Sequence, residues 1–83
     1  MKRKKSKYKY CNPRTVFSAE TFKDYLDVKA KAQITPLRYL TDNEFIVVFC
    51  KCNLGWGRRK IVKKTRFSEW FINNSYKKSL DLI

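Results

Sequence analysis

Along this 83-residue chain the spacing of apolar positions changes from a helical to an alternating period near Pro36. Upstream, Phe22, Tyr25, Leu26 and Ala30 recur at three- and four-residue intervals, as on one face of a helix. Ser18 stands where its hydroxyl can accept from an amide of the first turn. Phe17 before that cap and Phe22 after it form a hydrophobic staple. Glu20 suits the positive end of the helix. Lys23 with Asp27, and Asp27 with Lys31, add i,i+4 pairs worth only about 0.2–0.5 kcal/mol each, so packing must supply most of the stability. The pattern predicts a helix from Ala19 to about Lys31, and Pro36 bars extension past Thr35.

Downstream, residues 37–41 read as a short strand, and Asp42 with Asn43 supplies turn chemistry. Residues 44–52, EFIVVFCKC, are dense in β-branched and aromatic types and predict the strongest strand. Phe45, Val47 and Phe49 would face one way, and Ile46, Val48, Cys50 and Cys52 the other. Both faces are apolar, so this strand is expected at the centre, covered on two sides. Residues 53–57 carry Gly55 and Gly57 and read as a hairpin loop. Residues 58–66, RRKIVKKTR, read as an edge strand whose apolar members are Ile61 and Val62. Ser68 then caps a final helix that starts on Phe67, Trp70 and Phe71 and continues through Ile72, Tyr76 and Leu80. Asn73, Asn74 and Ser75 weaken its middle.

The predicted fold class is therefore α+β. It is a three-stranded antiparallel meander with an N-terminal and a C-terminal helix (αβββα). Residues 14–83 form one small domain, preceded by a basic flexible arm over residues 1–13. The C-terminal helix is the expected cover for the sheet.

Composition narrows the function. Lys and Arg number 20 against 7 Asp and Glu, a net charge of +13, so the expected partner is a polyanion. Aromatics at 16% set the chain apart from a disordered polycation. No apolar run approaches the roughly 18–20 residues that span a bilayer, and no secretory apolar region follows the basic start. No membrane role is expected. Histidine is absent, which removes the commonest general base. Glu20, Asp24 and Asp27 read as a solvated helix face. Cys11, Cys50 and Cys52 are an odd number of thiols and fall short of the four ligands of a structural zinc site. A reducing, intracellular setting is expected: the cytoplasm, the nucleus of a eukaryotic host, or a virion. Catalysis, cofactor and metal are not expected.

Two basic constellations carry the candidate chemistry. The first is the arm, with Lys2, Arg3, Lys4, Lys5, Lys7 and Lys9 beside Tyr8 and Tyr10, which can lie along phosphates and stack on bases. The alternative is a solubilising tail or, in a eukaryotic host, a nuclear address. The second is the basic return strand, with Arg58, Arg59, Lys60, Lys63, Lys64 and Arg66. On a strand, Arg58, Lys60, Lys64 and Arg66 would share one face, spaced at about 6–7 Å per two residues to meet phosphates. Arg59 and Lys63 would take the other. Trp56 at the hairpin tip would either stack on an exposed base, an interaction worth about 1–3 kcal/mol, or fold back onto the sheet. Lysines also protect an edge strand from pairing, but one or two would suffice for that. The basic strand carries no Asn or Gln, which argues against fine base readout.

The strand FIVVF (residues 45–49), the basic strand RRKIVKKTR and the helix start FSEWF (residues 67–71) together resemble the AP2-like three-stranded-sheet-plus-helix DNA-binding modules of phage proteins. The resemblance covers under half of the chain. It implies a sheet lying in the DNA major groove with Arg58, Lys60, Lys64 and Arg66 toward the DNA. The composition also looks like that of a phage-encoded accessory protein. The leading expectation is a non-enzymatic DNA-binding protein of phage or viral type. The alternatives are a structural, ribosome-associated RNA-binding protein and a virus-encoded inhibitor docked on an acidic surface of a host protein.

Overall fold

Local capping explains most of the helix boundaries in the computed structural model, which describes residues 12–82. Asn12 accepts from the Arg14 amide through Oδ1 (3.0 Å) and opens a single turn, α1, at Pro13–Val16. Ser18 accepts from the Thr21 amide (3.2 Å) and opens α2, Ala19–Ala32. Thr35 accepts from the Leu37 amide (3.2 Å) and opens a 3-10 turn at Pro36–Tyr39. Thr41 and Glu44 form a reciprocal capping box at the start of α3, Asp42–Cys52. There the Glu44 amide donates to Thr41 Oγ1 (3.2 Å) and the Thr41 amide to Glu44 Oε1 (2.8 Å). Gly57 precedes α4, Arg58–Thr65, and Ser68 accepts from the Phe71 amide (3.1 Å) at the head of α5, Glu69–Leu82.

Among the described residues there is no strand, so the fold is helical and the αβββα meander is not formed. The predicted central strand, residues 44–52, is α3. Its residues from Phe45 through Cys50 are all buried, so the helix is apolar all round and lies in the middle of the core. An apolar run covered on every side has no period that separates strand from helix. The capping box at its head favours helix. Cys50 and Cys52, expected on one side, lie on a helix about 200° apart; Cys50 is buried and Cys52 exposed.

The predicted edge strand, residues 58–66, is α4 and its cap. As a strand it would point Ile61 and Val62 to opposite faces. As a helix it turns Ile61, Val62 and Thr65 to one inner face, with Ile61 and Thr65 buried. The predicted hairpin is a helix–helix loop. The amides of Asn53 and Leu54 donate to the Phe49 carbonyl (2.8 and 3.2 Å), and that of Trp56 to Cys50 (2.9 Å). Gly55 turns the chain at φ +70°, where a side chain would be strained. The expected strand over residues 37–41 is the 3-10 turn. The likeness to AP2-like modules rested on those strands, and the helical structure removes its basis.

The core gathers around α3. Phe17, Tyr25, Phe45 and Phe49 form an aromatic cluster, with Tyr25 meeting Phe49 edge-on at 5.3 Å and Phe17 meeting Phe49 at 5.4 Å. Phe17, expected to staple onto Phe22, lies 5.6 Å from Tyr25. On the other side α3, α4 and α5 pack together as a three-helix unit through Ile61, Phe67 and Ile72. Lys78 of α5 reaches Glu44 of α3 (3.2 Å), and Lys51 of α3 lies over the Tyr76 ring of α5 (4.9 Å).

Candidate nucleic-acid interface

The helical period regroups the basic residues. With Ile61, Val62 and Thr65 turned inward, Arg59, Lys60, Lys63 and Lys64 occupy the outward side of α4, all exposed. They are linked by i,i+3 and i,i+4 spacings, which put neighbouring Cβ atoms about 5–6 Å apart. Arg58, grouped by the strand period with Lys60, Lys64 and Arg66, instead has its Nε 3.8 Å from Glu69 Oε1 at the head of α5. Arg66 leaves the helix in the left-handed region (φ 69°) as its C-cap.

Trp56 is half-buried. Its ring lies 6.0 Å from Phe17, and Lys60 Nζ stands 4.9 Å from its centroid. The indole thus packs against Phe17 on one side and holds Lys60 of α4 over its face. Of the basic arm, Lys2, Arg3, Lys4, Lys5, Lys7, Tyr8, Lys9 and Tyr10 lie outside the described residues, as does Cys11.

A second surface lies next in the chain. The buried side of α5 is Ile72, Ser75 and Ser79, and the opposite side carries Trp70, Asn73, Asn74 and Lys77. Trp70 is 72% exposed, the more open of the two indoles. In the sequence, Trp70 belongs to the aromatic helix start, and the asparagines mark a weak point of the helix. The signal was their spacing at i, i+3, i+4 and i+7, which puts all four on one helical face.

The α2 carboxylates Glu20, Asp24 and Asp27 are exposed, and Asp27 pairs with Lys31 (3.2 Å). Among the described residues no helix is long and apolar enough to cross a membrane. In comparisons with protein-family models, curated proteins and solved structures, none matches this chain.

Proposed function

We propose that this protein binds nucleic acid, DNA in preference to RNA, and acts without catalysis. The supporting observation is the outward face of α4, where Arg59, Lys60, Lys63 and Lys64 stand together with no acidic residue on the helix. Like charges at these spacings destabilise a helix, and cations in the first turn oppose its dipole. A surface that works against its own helix is explained by a partner that neutralises it. A row of phosphates does so, releasing counterions as it binds. The net charge of +13 adds long-range attraction for the same partner.

The test is the salt dependence of DNA affinity for the full chain and for a variant with Arg59, Lys60, Lys63 and Lys64 all replaced by Gln. Each phosphate contact contributes about 0.9 to the log–log slope, so losing four should lower it by roughly 3–4. Unchanged slope in a variant that still binds DNA would place the contacts elsewhere on the chain. A parent protein that binds no nucleic acid even at low salt would overturn the proposal. A nuclease-resistant complex with an acidic protein would then take its place.

A further inference from the structure

We infer that α4 and α5 form a helix–turn–helix and that α5 is its reading helix, entering the major groove of duplex DNA with Trp70, Asn73, Asn74 and Lys77. This rests on the DNA-binding function proposed above and adds sequence-selective recognition to it.

The unit has the helix lengths, the connection and the held turn of such a motif. An eight-residue helix and a fourteen-residue helix are separated by the three residues 66–68, the connection length of such motifs. The turn is held at every step. The Arg66 amide donates to the Val62 carbonyl (2.8 Å) from the left-handed region. Thr65 Oγ1 donates to the Ile61 carbonyl (2.6 Å) and accepts from the Phe67 amide (3.2 Å). Phe67 is buried, its ring 4.9 Å from Phe71. Ser68 caps α5, and Arg58 meets Glu69 across the two helix starts. The two helices are therefore fixed relative to each other. α5 is also seated on α3 through the contacts of Lys78 with Glu44 and of Lys51 with Tyr76.

The outward chemistry of α5 matches base edges. An Asn amide pairs with adenine N6 and N7, a Lys with guanine O6 and N7, and apolar surface with the thymine methyl. Asn73 is exposed, its amide without a hydrogen bond to the described residues. Asn74 donates one N–H to the Trp70 carbonyl (2.7 Å), which leaves its other N–H and its oxygen for a partner. Trp70, Asn73 and Asn74 sit in the first half of the helix, with Lys77 just past its middle. A reading helix presents its contacts from its N-terminal part while the preceding helix meets the backbone. The cations of α4 supply that backbone contact. The contact of Glu69 with Arg58 offsets its repulsion of phosphate. A helix about 10–12 Å across fits the roughly 12 Å major groove of B-DNA but not the deep, narrow groove of A-form RNA.

The whole 83-residue chain is used to select duplexes from a random library. Affinity is then measured for a selected duplex and a scrambled one, with the parent, the double variant Asn73→Ala with Asn74→Ala, and the α4 Gln variant. A selected sequence containing adenine should bind about 10³-fold or more tightly than the scrambled one. The double alanine variant should keep its helix, since Ala favours exposed helical positions. It should lose roughly 5- to 100-fold of preference for the selected duplex, with unchanged salt slope and unchanged affinity for the scrambled one. The α4 variant should weaken both duplexes alike. Binding without any enriched sequence, or an alanine variant that weakens both duplexes equally, would overturn the reading helix and leave the phosphate-binding face standing. A parent that binds no DNA would overturn both.

Discussion

Ser75 shows at the scale of one residue where this small core is imperfect. Its Oγ is buried and has no hydrogen-bond partner among the described residues. A buried hydroxyl left unpaired costs roughly 1–3 kcal/mol relative to water, while alanine has a higher helix propensity. Ser75→Ala should therefore stabilise the protein by about 1 kcal/mol. For a domain of this size that is roughly 4–8 °C in melting temperature. A variant that melts lower would show that the hydroxyl has a partner, such as a bound water. Thr65 is the contrasting case, because its hydroxyl both donates and accepts and so holds the turn between α4 and α5. Arg66 adopts the left-handed conformation at the helix end, which glycine would enter without steric cost.

α4 carries the conflict at the scale of an element. Its inner face is only Ile61, Val62 and Thr65, and its outer face is four cations. Arg59 with Lys63, Lys60 with Lys64 and Lys60 with Lys63 are like-charge neighbours, together worth roughly 1 kcal/mol of repulsion at low salt. Packing against α3 and α5 holds the helix in spite of this. The quadruple Gln variant should therefore unfold at a higher temperature than the parent in low-salt buffer, while binding DNA more weakly. Thermal melts alongside the DNA titrations check both directions. A variant that lost stability together with binding would mean that the packing of these side chains, including Lys60 over the Trp56 ring, outweighs their mutual repulsion. α5 has no such conflict. Its exposed Asn73 and Asn74 cost helix propensity, roughly 0.5 kcal/mol each relative to Ala, but make no repulsive contact, and with Trp70 they are available to a partner.

Net charge acts at the scale of the whole molecule. The described residues span 40 × 29 × 23 Å, so at about 0.01 M salt, where the screening length is about 30 Å, charges across most of the molecule repel one another. At about 0.15 M that length falls to about 8 Å. The melting temperature of the free protein should rise between those two conditions, because the self-repulsion of a +13 chain is being screened. Differential scanning calorimetry at the two salt levels tests this. A falling melting temperature would mean that attractive pairs such as Lys29 with Asp42 and Lys78 with Glu44 outweigh the repulsion.

Local chemistry in the sequence was enough for α2, whose Ser18 cap and apolar spacing set it at Ala19–Ala32, and for the Ser68 start of α5. It was enough as well to mark residues 45–50 as the centre of the core and the basic run at 58–66 as the charged surface. The capping box of Thr41 and Glu44 was a local sign of helix at the head of α3. Beyond it, the state of those two segments was decided by tertiary structure. An all-apolar run satisfies a strand or a helix equally, and the difference lies in how the backbone is paired. A strand needs neighbours to take its amides and carbonyls, whereas a helix closes its own bonds and needs only apolar surroundings, which α2, α4 and α5 supply around α3. The candidate interface followed from that outcome. Under a period of two, Arg58, Lys60, Lys64 and Arg66 belong together. Under a period of 3.6, Arg59, Lys60, Lys63 and Lys64 do, and Trp70, Asn73, Asn74 and Lys77 become one face because Ile72, Ser75 and Ser79 are packed on the other.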